Sequence, residues 1–170
     1  MSQERLDAQT RRHVNTMIKA GVLEEQVYLG PASAILVCCS DHVAADMVRF
    51  HADTTRVIAN LGGASQLSEQ DPSLRGQHPT AFLHLQLTEM LRDASDTKLV
   101  LCVHAPCRTI DRLSATTLLD QISHMLSGFA EFNAQRRHPV AASFLVRVAH
   151  RGTVTFYTLN SERFASWFRR

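Results

Sequence analysis

The sequence has no apolar run near the roughly 18 residues that a membrane-spanning helix needs, so no membrane partner is expected. Its opening residues, MSQERLDAQTRRH, contain no apolar stretch that would serve as a secretory signal. The expected location is cytoplasmic, where thiols stay reduced. An excess of either charge is also missing. Eighteen Lys and Arg face 16 Asp and Glu, leaving a formal net charge of +2, too little to mark a nucleic-acid partner. No internal repeat, low-complexity tract or composition break divides the chain. The 170 residues read as one domain, 1–170, large enough to bury a core without disulfide staples.

What is present is an alternation of helical and strand patterns. Leu6, Val14, Met17, Ile18 and Val22 recur near helical spacing and predict an amphipathic helix over 3–24. The apolar run at 34–39, Ala-Ile-Leu-Val-Cys-Cys, predicts a buried strand, with Ser40-Asp41 placed to cap a helix over 43–51. A second strand is predicted at 55–59, a polar loop over 64–78, and a helix over 79–93 with Pro79 in its first turn. A third buried strand covers 98–103 and ends at His104; a helix follows at 114–135. Segments 141–149 and 153–158 flank Arg151-Gly152 as a hairpin, and a short helix at 161–168 closes the order. The expected fold class is α/β, a mainly parallel sheet flanked by helices, with a C-terminal antiparallel hairpin. Short right-handed crossovers put the 34–39 strand at the centre, between those at 55–59 and 98–103.

The four cysteines fall in two pairs, Cys38-Cys39 and Cys102 with Cys107, each at the end of an apolar run. In a reducing compartment that placement suggests metal binding or catalysis over a disulfide framework. Function in open parallel sheets gathers at the carboxyl ends of strands. Two such ends are chemically loaded, Cys39-Ser40-Asp41-His42 and His104-Ala105-Pro106-Cys107. Two thiolates, an imidazole and a carboxylate suit zinc. Cys38 and Cys102, inside their strands, read as buried small hydrophobes. Spacing alone leaves both metal ligation and simple burial open for Cys39, His104 and Cys107, because a lone His-x-x-Cys is a weak motif.

Cys39-Ser40-Asp41 after one strand, with His104-x-x-Cys107 after a later one, resembles the beta-class carbonic anhydrases, whose pattern is Cys-x-Asp-x-Arg followed by His-x-x-Cys. Val57-Ile58-Ala59-Asn60 is similar to that family's strand ending in Arg-Asn, with Ala59 in the Arg position. The hairpin turn at Arg151-Gly152 resembles the family's Thr-Gly turn, so the similarity spans roughly residues 30–158. The resemblance implies a beta-carbonic-anhydrase-like domain with a Zn2+ cofactor on Cys39, His104 and Cys107. It implies Asp41 as fourth ligand or as the catalytic residue orienting a water. It also implies carbon dioxide and bicarbonate as small-molecule substrates, and a homodimer or higher homo-oligomer.

Three departures stand against full activity. The family's Arg, which holds the Asp carboxylate off the metal, is Val43. The Gly after the second Cys is Arg108, and Gly30 stands where the family has a Gln. Two thiolates and a neutral imidazole make a zinc centre formally neutral; a carboxylate on the remaining position closes it to water. Hydration needs that position open. Arg108, Arg56 and Arg49 are the candidate substitutes for the missing cation, and each also reads as a solvated surface residue. His42 offers a proton shuttle, with a surface histidine as the plainer reading. The expected function is a zinc-dependent lyase of weak or lost activity. The alternatives are a non-catalytic zinc-binding module of the same fold, or a small hydrolase with a cysteine nucleophile and His104 as base.

Overall fold

A computed structural model describes residues 6–26, 34–40, 56–68, 79–92, 97–107 and 117–169. Asp41, His42, Val43, Arg49 and Arg108 lie outside them, as does the helix expected over 43–51. In chain order the elements are α1 (Ala8–Lys19), β1 (Leu23–Glu25), β2 (Ala34–Cys39), β3 (Arg56–Asn60), a 3-10 turn (Gly63–Leu67), α2 (Pro79–Arg92), β4 (Lys98–Ala105), α3 (Leu118–Ala134), β5 (Ala142–His150), β6 (Thr153–Leu159) and α4 (Ser161–Phe168). One six-stranded sheet runs in the order β1-β6-β5-β4-β2-β3. β3, β2, β4 and β5 are parallel neighbours, while β5-β6 and β6-β1 are antiparallel. The α/β class, the C-terminal hairpin and the central place of β2 between β3 and β4 all match the sequence reading.

Alternating strand residues feed two cores. Ile35, Val37, Leu99, Leu101, Val103, Val146 and Val148 join one cluster with buried residues of all four described helices. These include Val14 and Met17 of α1, Leu83, Leu87 and Leu91 of α2, Ile122 and Met125 of α3, and Phe164 of α4. The spacing of Leu83, Leu87 and Leu91 is the one-face pattern of a helix. The intervening strand residues Leu36, Cys38, Val100, Cys102 and Leu145 join Phe156 in a second buried cluster, to which Cys39 and Cys107 belong. Strand side chains alternate between sheet faces, so the fully apolar runs at β2 and β4 signal burial on both.

Local chemistry sets the helix ends. Asp7 caps α1: its carboxylate accepts from the Thr10 hydroxyl at 2.5 Å and from the Thr10 N–H at 2.8 Å, which together hold its carboxyl below the usual range. Thr117 and Asp120 form a reciprocal capping box at the start of α3. Two expectations are corrected here. The first helix is shorter than 3–24: it stops at Lys19, Gly21 adopts a φ of 66°, and Leu23–Glu25 turns into an edge strand on β6. The polar stretch expected as loop over 64–78 begins as a 3-10 turn whose residues are all buried. Gly62 and Gly63, at φ of 83° and 64°, let the chain fold back from β3 onto the sheet. There the side-chain amides of Asn60 and Gln66 meet in one hydrogen bond of 2.8 Å.

Candidate metal centre

The site is assembled at the carboxyl ends of two adjacent parallel strands. β2 pairs with β4 in parallel, Val37 opposite Leu101. Cys39 closes β2, and β4 continues past the predicted end to Ala105, so His104 lies within the strand. Three residues on, Cys107 returns to the same place. The Sγ atoms of Cys39 and Cys107 and a ring nitrogen of His104 all lie within 4.8 Å of one another. Tetrahedral zinc, with Zn–S near 2.3 Å and Zn–N near 2.0 Å, needs ligand atoms roughly 3.5–3.8 Å apart. A small contraction of this cluster meets that requirement.

Burial argues that the cluster is built to hold something. Cys39, His104 and Cys107 are 0%, 1% and 1% exposed. Both ring nitrogens of His104 are buried with no hydrogen-bond partner. A buried polar group left unsatisfied costs about 1–3 kcal/mol, and such groups are rare enough to require a reason. Metal ligation satisfies one of the two nitrogens outright. Cys39 Sγ receives a hydrogen bond from the Gly62 N–H at 3.3 Å, the kind of donor that stabilises negative charge on sulfur. The donor set, two sulfurs and one imidazole, is the borderline-soft set that zinc favours.

Gly63 shows how closely the surrounding chain is fitted. A Cβ there would stand 2.9 Å from the Cys102 carbonyl oxygen and 2.9 Å from the Cys39 backbone nitrogen. The 3-10 turn is thus pressed against the end of β2 and the middle of β4, which fixes the Gly62 N–H over the Cys39 sulfur. Asn60 is the register partner of Cys39. Its carbonyl accepts from the Ser40 N–H at 2.8 Å.

The other two cysteines behave as packing. Burial, then the neighbouring Cys39, pushes the Cys38 thiol up to about 12. Burial likewise raises Cys102. Neither offers a thiolate at neutral pH, which agrees with their reading as small hydrophobes. Of the arginines named as substitutes for the missing cation, Arg56 is excluded. It is exposed and opens β3 opposite Ile35, roughly 13 Å along the strand from Asn60. Sequence reasoning missed Arg147, a buried arginine on β5 in register with His104. The signal was available in Leu145-Val146-Arg147-Val148, a cation inside an apolar strand run.

No model of a known protein family matches the chain, and no curated protein matches its sequence significantly. Among the described residues no helix is long and apolar enough to cross a membrane.

Proposed function

We propose that this chain is a zinc protein of the carbonic anhydrase type, interconverting carbon dioxide and bicarbonate at a rate well below that of efficient enzymes. The observation that supports this most is the convergence of Cys39, His104 and Cys107 within 4.8 Å, around a buried histidine whose ring nitrogens have no other partner. Zinc in this position supplies the Lewis acidity that makes a water nucleophilic near neutral pH. The three side chains leave one position of a tetrahedron for that water or for a competing ligand.

The residues around the metal give the rest of the reading. At no more than 1% exposure for any ligand, the site suits a substrate of a few atoms, which carbon dioxide is. The same burial weighs against a hydrolase, whose cysteine nucleophile must meet a larger acyl group and be a thiolate at neutral pH. The Gly62 N–H holds the Cys39 sulfur, and backbone donors of this kind fix a ligand's orientation. Asp41, two residues beyond Cys39, orients the water or competes with it for the metal; it lies outside the described residues. Val43 stands where the family has the Arg that keeps this carboxylate off the metal, and the loss of that cation from the motif is what slows turnover in this reading.

Stopped-flow hydration across pH 6.5 to 9, with zinc-loaded protein, tests the reading. The expected result is a rate above buffer, lost on chelation, with a turnover below ~10³ s⁻¹. A turnover at or above that value contradicts the slow site. A zinc-loaded protein with no rate above buffer makes the chain a non-catalytic zinc-binding module.

A further inference from the structure

A centre that offers a metal two sulfurs also holds those sulfurs close enough to react with each other. The Sγ atoms of Cys39 and Cys107 lie within 4.8 Å, and Cys38, Cys39, Cys102 and Cys107 are all reduced. A disulfide needs about 2.05 Å between its sulfurs, a gap that side-chain rotation of the two cysteines can close. Cys39 is the last residue of β2, and Cys107 lies past the end of β4. A bond between them therefore leaves the β2-β4 ladder, Ala34 to Val37 against Lys98 to Leu101, in place. The other two cysteines are placed differently. Cys38 is paired with Ala59 inside β2, and Cys102 with Leu145 inside β4. The Cys102 thiol donates to the Val103 carbonyl at 3.4 Å. A bond between the adjacent Cys38 and Cys39 would strain the planar trans peptide that joins them. Metal ligation also deprotonates sulfur, which makes Cys39 and Cys107 the reactive thiolates and leaves Cys38 and Cys102 outside the ligand set.

We propose that the centre is a redox switch, in which hydrogen peroxide joins Cys39 and Cys107 in a disulfide and so releases the metal. This rests on the metal reading above and deepens it, because it gives the same site a means of regulation. One thiolate attacks a peroxide oxygen; the O–O bond breaks, and the departing hydroxide takes a proton and leaves as water. The product is a sulfenic acid. The second thiolate attacks that sulfur; the S–S bond forms, the S–O bond breaks, and a second water leaves. Two electrons pass from the sulfur pair to the peroxide. Of the three ligands only His104 then remains, too few to hold a zinc ion. Burial selects the oxidant. With every ligand at 1% exposure or less, a molecule as small as hydrogen peroxide suits the site, whereas glutathione disulfide is far too large for it. Reduction by a dithiol restores both thiolates and with them the metal site.

The test reads zinc and thiols and needs no turnover. Zinc-loaded wild type, Cys38→Ser and Cys102→Ser are treated with hydrogen peroxide. Zinc release is followed with a colorimetric chelator, remaining thiols are alkylated, and disulfides are mapped by peptide mass spectrometry. All three proteins are expected to release their zinc as a Cys39–Cys107 disulfide forms, and to rebind it after dithiothreitol and fresh zinc. Glutathione disulfide at the same concentration is expected to release zinc at least about tenfold more slowly, because exchange depends on access to the sulfur. Zinc release without that disulfide, a disulfide through Cys38 or Cys102, or peroxide that leaves zinc and thiols unchanged overturns the proposal, as do equal rates with the two oxidants. Should either serine variant fail to fold, the disulfide mapped in the wild type decides. Failure of the wild type to take up zinc is a different result, which removes the metal reading and the switch with it.

Discussion

Replacing Cys107 with serine is expected to reduce bound zinc from about one equivalent per chain to less than about a tenth. Cys107 is one of two sulfurs in the cluster and is 1% exposed. A serine hydroxyl at that place is a poor zinc ligand, and its removal leaves only a two-point site with His104. Stability should fall with the metal, because a ligand that binds only the folded state stabilises it by mass action. At free zinc about 1,000 times the dissociation constant this contributes about 4 kcal/mol, a fall in Tm of about 10 °C for a chain of this size. Cys38→Ser should keep its zinc, since the Cys38 thiol, pushed up to about 12 by burial and by Cys39, is not a thiolate. Elemental analysis and thermal unfolding of the two variants check this. Equal zinc loss in both would show that Cys39 has been chosen wrongly over Cys38.

The second large effect lies away from the metal. Gly128 sits in the middle of α3, where glycine costs about 1 kcal/mol relative to alanine. The structure supplies the reason: a Cβ at Gly128 would stand 2.3 Å from the Leu67 carbonyl carbon and 2.4 Å from the Ser68 nitrogen. Both atoms are backbone and cannot swing aside. α3 thus packs directly on the end of the 3-10 turn, and the 3-10 turn in turn holds the Gly62 N–H on Cys39. Gly128→Leu is expected to destabilise the fold by about 3 kcal/mol or more, with Gly128→Ala smaller and of the same sign. Leu85→Ala, at an α2 position 58% exposed, should stay within about 0.5 kcal/mol of wild type. Urea unfolding monitored by circular dichroism measures all three. A Gly128→Leu protein as stable as wild type would mean that α3 does not bear on the 3-10 turn as described.

How much of this was legible in the sequence depended on whether the signal was local. The helix at 161–168 and the hairpin around Arg151-Gly152 rest on short-range chemistry, the Asn160 cap and a turn with two positive-φ residues, and they appear where the pattern put them. The buried strands were legible because a continuous run such as Ile35 to Cys39 has few other uses. The strand β1 was not legible: only three residues long and two-thirds acidic, it forms because β6 offers an open edge, a tertiary cause. The 3-10 turn was missed for a similar reason. Gly-Ala-Ser-Gln-Leu reads as a polar loop, and its burial follows from the fold-back at Gly62-Gly63 and from Gln66 finding Asn60. Of the site, Cys39, His104 and Cys107 were named from strand ends and a spacing motif, and the parallel pairing of β2 with β4 brings them together. Arg147 needed register: only the pairing of β4 with β5 sets it opposite His104.

The coordination of the bound metal tests the central claim most directly. X-ray absorption at the zinc edge, on protein purified without chelators, is predicted to show two sulfurs at about 2.3 Å and one imidazole nitrogen at about 2.0 Å, with one further oxygen or nitrogen ligand. A first shell of four sulfurs, which would recruit Cys38 and Cys102, or one with no sulfur at all, would contradict it.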